Sequence, residues 1–324
     1  MRAVVCTAFG PPENLVIEER DDPVAGPGQV VVDAKAIPVT FPDTLMLEDK
    51  YQFKAPLPYV PGSEMVGVVS EVGDGVEGIA VGDRVVARLG VTGGFATKGV
   101  CDASGILPLP DGAGFAESSG LLYAHGTTYY GLKWRGRLQA GESLLVLGAA
   151  GQLGLSAIEI GKLMGARVIA AASSEEKLQL CRDAGADLTI NYAEESLKDR
   201  AKELTDGQGV DVVYDGVGGD YAEQALRAMA WEGRFLVIGF TAGIPSIPLN
   251  LTLLKGCDII GVFYGAMTGK QPELSETVTS DLLGWVASGE LKPYIADRFS
   301  LDDAPRALRL MMDRQAKGKL VIEP

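Results

Sequence analysis

The rhythm of hydrophobic and polar positions changes near residue 118. Before it, short runs rich in valine recur at residues 29–33, 64–72 and 83–88, separated by Gly26-Pro-Gly28, Gly73-Asp-Gly75 and Gly93-Gly94. Closely spaced short strands with glycine and proline turns predict a small irregular barrel. After it, apolar strand runs at 144–147, 167–171, 188–191, 210–214, 234–239 and 258–263 alternate with helical periodicity at 153–164, 174–184, 194–204 and 220–230. That alternation predicts a parallel sheet covered by helices on both faces. A last strand, Lys319–Ile322, is expected back on the barrel, which makes that domain discontinuous in sequence.

The first strand of the second half stops at Gly148, and Ala149-x-Gly151-x-x-Gly154 follows before the helix. Small residues between a strand and a helix allow close approach to bare backbone. Gly151 lets a diphosphate near, Gly154 lets the helix pack on the sheet, and the N–H groups of Gln152 and Leu153 face the anion. Six strands suit the doubly wound order that binds a dinucleotide at its switch point. A carboxylate about 20 residues on would hold a free ribose hydroxyl. Nineteen positions beyond Gly154 stands Ser173, followed by Ser174 and Lys177, with Tyr192 after the next strand. Hydroxyls and a lysine in place of an acid favour a 2′-phosphate, hence NADPH. Ser173 and Glu176 also read as a capping box, which needs no ligand.

Composition narrows the function classes. Among 324 residues, 29 are basic and 43 acidic, a net charge of −14 that disfavours nucleic acid as a partner. Nothing approaches the apolar length of a membrane span, and a soluble cytoplasmic protein is expected. Cys6, Cys101, Cys181 and Cys257 lie 95, 80 and 76 positions apart, neither metal-knuckle nor disulfide spacing. With His125 as the only histidine, a zinc site is not expected.

The segments 58–85, 120–132 (GLLYAHGTTYYGL), 148–154 (GAAGQLG), 211–219 (DVVYDGVGG) and 233–240 (GRFLVIGF), with the terminal GKLVIEP, resemble the zinc-free quinone oxidoreductase branch of the medium-chain dehydrogenase/reductase superfamily. The resemblance implies an α/β chain with a GroES-like β-barrel domain at 1–118 and 264–324 around a Rossmann doubly wound parallel sheet domain at 119–263. Where zinc relatives carry Gly-His-Glu, this chain has Gly62-Ser63-Glu64. Where relatives carry Asn-x-x-Asp beside the nicotinamide, it has Thr40-Phe-Pro-Asp43, so the asparagine is lost and the acid kept.

The resemblance further implies metal-free hydride transfer from NADPH to a quinone or α,β-unsaturated carbonyl. An enoyl-thioester reductase and a cofactor-binding protein without turnover, like some lens crystallins, are the alternatives. Thr40, Asp43, Tyr51, Thr127 and Tyr264 are the candidate catalytic residues. Candidate cofactor contacts are Thr127, Gly239, Phe240, Phe263, Tyr264 and Lys319, beside the turn residues Ala149, Gly151, Gln152, Leu153 and Gly154 and the Ser173, Ser174, Lys177 and Tyr192 group. His125 reads as a packed histidine before a proton shuttle, and Arg135 with Arg137 as a surface turn. The edge strand at 258–263 is expected to join two subunits into a homodimer, because exposed edges invite pairing.

Overall fold

Branched side chains fill the pleat of the long strand Gln29–Val39, where Val30, Val32, Ile37 and Val39 are fully buried. Such residues lose little freedom in an extended chain and pack well on a pleated surface. The computed structural model describes residues 1–324 and divides them into Met1–Leu121 with Leu283–Pro324, and Leu122–Leu282.

In the first unit, Gln29–Val39 pairs antiparallel with Glu64–Val72, which pairs in turn with Arg84–Arg88. The strands Lys98–Asp102 and Ile106–Pro108 extend the sheet. The terminal strand Lys319–Ile322 returns to it, with Leu320 opposite Val39 and Ile322 opposite Ile37. The barrel is therefore completed by the end of the chain, as the sequence predicts.

The second unit holds six parallel strands: Ser143–Leu147, Arg167–Ala172, Leu188–Asn191, Val210–Asp215, Met229–Val237 and Asp258–Gly261. Their spatial order is third, second, first, fourth, fifth, sixth. The order reverses between the first and fourth strands, which is the switch point of a doubly wound sheet. Leu145, Leu147, Ile169, Ala171 and Val213 form part of one core on this sheet.

The fifth strand differs from its expected bounds. It starts at Met229, five residues early, because Met229 already pairs with Val210 before a register shift. Glu232 takes a positive φ of 59° within that irregular stretch. An exposed Trp231 and Glu232 break the alternation there and hid the strand from a pattern reading.

The segment Leu121–Arg135 is helical throughout but changes its winding. It is π-type over Leu121–His125 and Tyr130–Arg135, with one α-helical stretch, Gly126–Tyr129, between them.

Candidate active site

The turn after the first strand sits at the switch point. Gly148 takes φ 63°, a left-handed conformation open to glycine at no steric cost. The Gly151 N–H donates to the Gly148 carbonyl at 3.0 Å, and the Leu155 N–H donates to the Gly151 carbonyl at 2.8 Å. The helix Gln152–Leu163 thus begins with the amides of Gln152, Leu153 and Gly154 lacking intrahelical acceptors. A Cβ on Gly154 would meet the Gly148 carbonyl oxygen at 2.4 Å and the Ala149 Cα at 2.5 Å, so the fold itself demands glycine there. At Gly151 the nearest atom to such a Cβ lies 3.4 Å away, an ordinary contact. The fold does not demand that glycine; an approaching ligand would. Gln152 Nε2 is buried with no hydrogen-bond partner, a donor left over beside the turn. Both observations fit a bound diphosphate. Gly148, whose position directly after the strand was its only signal, belongs with this group.

Beyond the second strand, Ser174 caps the helix Glu175–Asp183, its hydroxyl accepting from the Lys177 N–H at 3.4 Å. This corrects the capping box expected at Ser173 and Glu176 by one residue. Ser173 is thereby released from capping: its hydroxyl accepts from Lys177 Nζ at 3.4 Å and is hydrogen-bonded to the Tyr192 hydroxyl. The Tyr192 ring packs against Tyr221, with centroids 4.4 Å apart. Three of the four expected phosphate-side groups meet in one cluster. Glu175, a neighbouring negative charge, is engaged by Arg182.

Thr127 lies in the α-helical stretch and its hydroxyl donates to the Tyr123 carbonyl at 2.6 Å. Its neighbour Gly126 faces the Tyr264 ring so closely that a Cβ would meet Cζ at 2.7 Å. Tyr264 thus packs against the helical stretch that carries Thr127. Phe263 precedes Tyr264 and is 56% exposed. Gly239 and Phe240 follow the fifth strand beside the Gly216–Gly219 loop. That loop is shaped by Asp215, whose carboxylate accepts from the Val217 and Gly218 N–H groups at 2.8 and 2.9 Å.

In the first unit, Thr40 and Asp43 are both buried. Asp43 Oδ2 accepts from the Thr40 N–H and from its hydroxyl, each at 2.7 Å. The only proton of the Thr40 side chain thus points at Asp43. Burial pushes the Asp43 carboxyl up to about 6 despite these donors. The Tyr51 hydroxyl is held above its ordinary value, first by burial and then by the Asp43 charge.

Lys319 is placed differently from its expected phosphate contact. The residue is 3% exposed, and its ammonium donates to the carbonyls of Ala116, Glu117 and Ser119 at 2.9, 2.8 and 3.0 Å. Three carbonyls take the three protons, so the lysine fastens the C-terminal end of helix Phe115–Ser118. Nearby, buried Glu64 accepts from the Gly120 N–H at 2.6 Å, and burial raises its carboxyl to about 7.

The donor set does not fit zinc. No three side chains among His, Cys, Asp and Glu are placed to hold a metal ion. His125 Nε2 lies 2.7 Å from Glu159 Oε2, and all four cysteines are buried free thiols.

A glycine turn at the switch point of a doubly wound sheet, in a chain that also folds a GroES-like barrel, defines a two-unit α/β class. Comparison with known proteins specifies it. Residues 26–111 match the alcohol dehydrogenase GroES-like domain and residues 153–280 the zinc-binding dehydrogenase family. The quinone oxidoreductase-like protein 2 homolog of Nematostella vectensis is 39% identical, over 99% of this chain and 88% of that protein. A quinone oxidoreductase of Pseudomonas aeruginosa is 34% identical over 98% of both. The crystal structure of Escherichia coli quinone oxidoreductase complexed with NADPH superposes with a TM-score of 0.90 at 30% identity, covering all of both chains. This chain belongs to the quinone oxidoreductase branch of the medium-chain dehydrogenase/reductase superfamily. No helix is long and apolar enough to cross a membrane.

Proposed function

We propose that this chain is an NADPH-dependent, zinc-independent reductase of quinones or α,β-unsaturated carbonyls that acts as a homodimer. The observation that carries the cofactor reading is the meeting of Ser173, Lys177 and Tyr192 at the position where an NAD-binding sheet presents an acid. The relative solved with NADPH supports it.

Bound NADPH supplies a hydride, and the acceptor gains that hydride and one proton. The chain's own residues bind and orient. The amides of Gln152 and Leu153 hold the diphosphate at the helix N-terminus, and the Gln152 side-chain amide adds a donor. Ser173, Lys177 and Tyr192 take the 2′-phosphate. Thr127 and Tyr264 border the nicotinamide end, with Gly239, Phe240 and Phe263 lining it. In the first unit, Tyr51 is the donor to the acceptor's oxygen, and Thr40 and Asp43, bonded to each other, are the groups that orient it. An acceptor whose charge spreads into an enolate or hydroquinone anion asks little of them beyond hydrogen bonds, which suits a site without a Lewis acid. We assign the catalytic domain to 1–118 with 264–324 from the sequence, whereas the compact unit takes in Met1–Leu121 with Leu283–Pro324.

The test mixes protein and NADPH with a panel of quinones, enones and enoyl-CoA thioesters while nicotinamide absorbance is followed. Oxidation with quinones or enones is expected. Turnover with enoyl-CoA alone would replace the proposal by a thioester reductase, and binding without any turnover would replace it by a carrier.

A further inference from the structure

The helix Gln152–Leu163 and the segment Leu121–Arg135 meet through polar side chains in an otherwise apolar interior. Ser156 and Glu159 lie four and seven positions after Gln152, which places all three on one face of the helix. Opposite them, Ser156 Oγ lies 2.6 Å from Thr128 Oγ1, which lies 2.8 Å from the Tyr214 hydroxyl. Ser156 also donates to the Leu153 carbonyl at 2.8 Å. Glu159 Oε2 meets His125 Nε2 at 2.7 Å, and the side chains are 11% and 5% exposed. The second histidine nitrogen, Nδ1, is buried with no partner. A proton on Nδ1 would have no acceptor, so this network assigns the ring proton to Nε2, donated to Glu159.

These two anchors bracket Gly126 and Thr127. Thr127 has His125 two positions before it and Thr128 immediately after it, both fastened to the helix that starts at the dinucleotide turn. Gly126, between the anchored histidine and Thr127, carries the Tyr264 ring against its backbone. π-type turns lie on either side of this stretch, a winding found often at functional sites. An apolar helix contact tolerates sliding. A buried polar one does not, because a shift of register would leave each donor and acceptor unsatisfied.

We propose that His125 and Glu159 are a positioning pair for hydride transfer: they fix the Gly126–Thr127 backbone, and with it Tyr264, relative to the diphosphate-binding helix. This rests on the NADPH reading above. The pair touches neither cofactor nor acceptor and acts only through Thr127 and Tyr264.

The experiment uses the full-length protein, NADPH and the best acceptor from the panel. NADPH affinity, turnover, the deuterium isotope effect with 4-deuterated NADPH and the fluorescence of bound NADPH are measured for wild type, H125F, E159L, E159Q and H125F/E159L. H125F and E159L should lower turnover about tenfold and raise the isotope effect. NADPH affinity should stay within about threefold of wild type, with altered nicotinamide fluorescence. E159Q, whose amide carbonyl still accepts the Nε2 proton, should retain most of the activity. The double variant should be no worse than either single, as for two partners in one contact. Unchanged turnover in H125F overturns the proposal, as does an NADPH affinity that falls as far as turnover. So does a loss in E159Q equal to that in E159L. If H125F does not fold, the comparison of E159Q with E159L decides alone. Failure of wild type to bind NADPH would instead remove the underlying functional reading, and this inference with it.

Discussion

Two glycines three positions apart carry different constraints, and substitution separates them. Gly154 has backbone 2.4–2.6 Å from where a Cβ would stand, so neither partner can yield cheaply. Gly154→Ala should destabilise the second unit by about 2–3 kcal/mol, the usual scale of overpacking, visible as a lowered denaturation midpoint. At Gly151 the protein leaves room, so Gly151→Ala should unfold like wild type yet bind NADPH at least about tenfold more weakly, by fluorescence titration. Normal binding by that variant would mean that no diphosphate approaches the turn. Lys177 tests the other end of the same ligand. Removing one charge-assisted contact costs roughly 1.5 kcal/mol, about tenfold in affinity. Lys177→Ala should therefore weaken NADPH by about tenfold and NADH by less than twofold, and equal losses would sink the phosphate assignment. The sequence made these residues legible because a ligand that touches bare backbone leaves a glycine spacing behind. It left Lys319 illegible: a lysine near a glycine looks alike whether it meets a phosphate or three carbonyls of its own chain.

Elements with strong periodicity kept their expected bounds, and those shaped by tertiary contacts did not. The strands Glu64–Val72, Leu188–Asn191 and Lys319–Ile322 fall where the pattern places them. The strand Met229–Val237 does not, because its early pairing rests on Val210 and carries no hydrophobic alternation of its own. The same distinction explains the ends of the short helix Phe115–Ser118, whose carbonyls are fastened by a lysine about 200 positions away. Lys319→Met should cost the first unit about 3 kcal/mol, through carbonyls left without a charged donor, while NADPH affinity stays put. A second consequence concerns pH. Glu64 holds its proton up to about 7, against an ordinary 4.5, and Asp43 up to about 6, against 3.8. The folded unit binds more protons than the unfolded chain between those limits. The stability these groups contribute is full below about 4 and falls as pH rises through 6 and 7. The Glu64 share is on the order of 3 kcal/mol, and E64Q removes it. Urea midpoints should drop less between about pH 5 and pH 8 in E64Q than in wild type. An equal drop would place the titration elsewhere.

At the scale of the whole molecule, the edge of the second sheet decides whether the protein works alone. The strand Asp258–Gly261 pairs with Met229–Val237 on one side and with no strand on the other. Beside it stand Trp231, Leu253, Leu254 and Phe263, each more than half exposed, and the Trp231 ring lies against Gly256. Proteins that stay single blunt such an edge with charge, bulges or cover. Here only the two ends are met by side chains: Arg135 donates to the Gly261 carbonyl at 3.2 Å and Arg137 pairs with Asp258 at 2.8 Å. The Arg135 and Arg137 side chains thus mark the limits of the open edge, with Ile259 and Ile260 between them. Two copies related by a two-fold axis can pair these residues antiparallel and bury the exposed leucines and tryptophan together. Wild-type protein should sediment as a dimer at micromolar concentration. Ile259→Lys places a charge in the middle of the paired edge without touching the core, since Ile259 is 36% exposed. It should shift the mass to the monomer, with the denaturation midpoint of the isolated subunit little changed. A wild-type monomer, or a dimer that survives both Ile259→Lys and Leu253→Lys, would show that this edge stays unpaired.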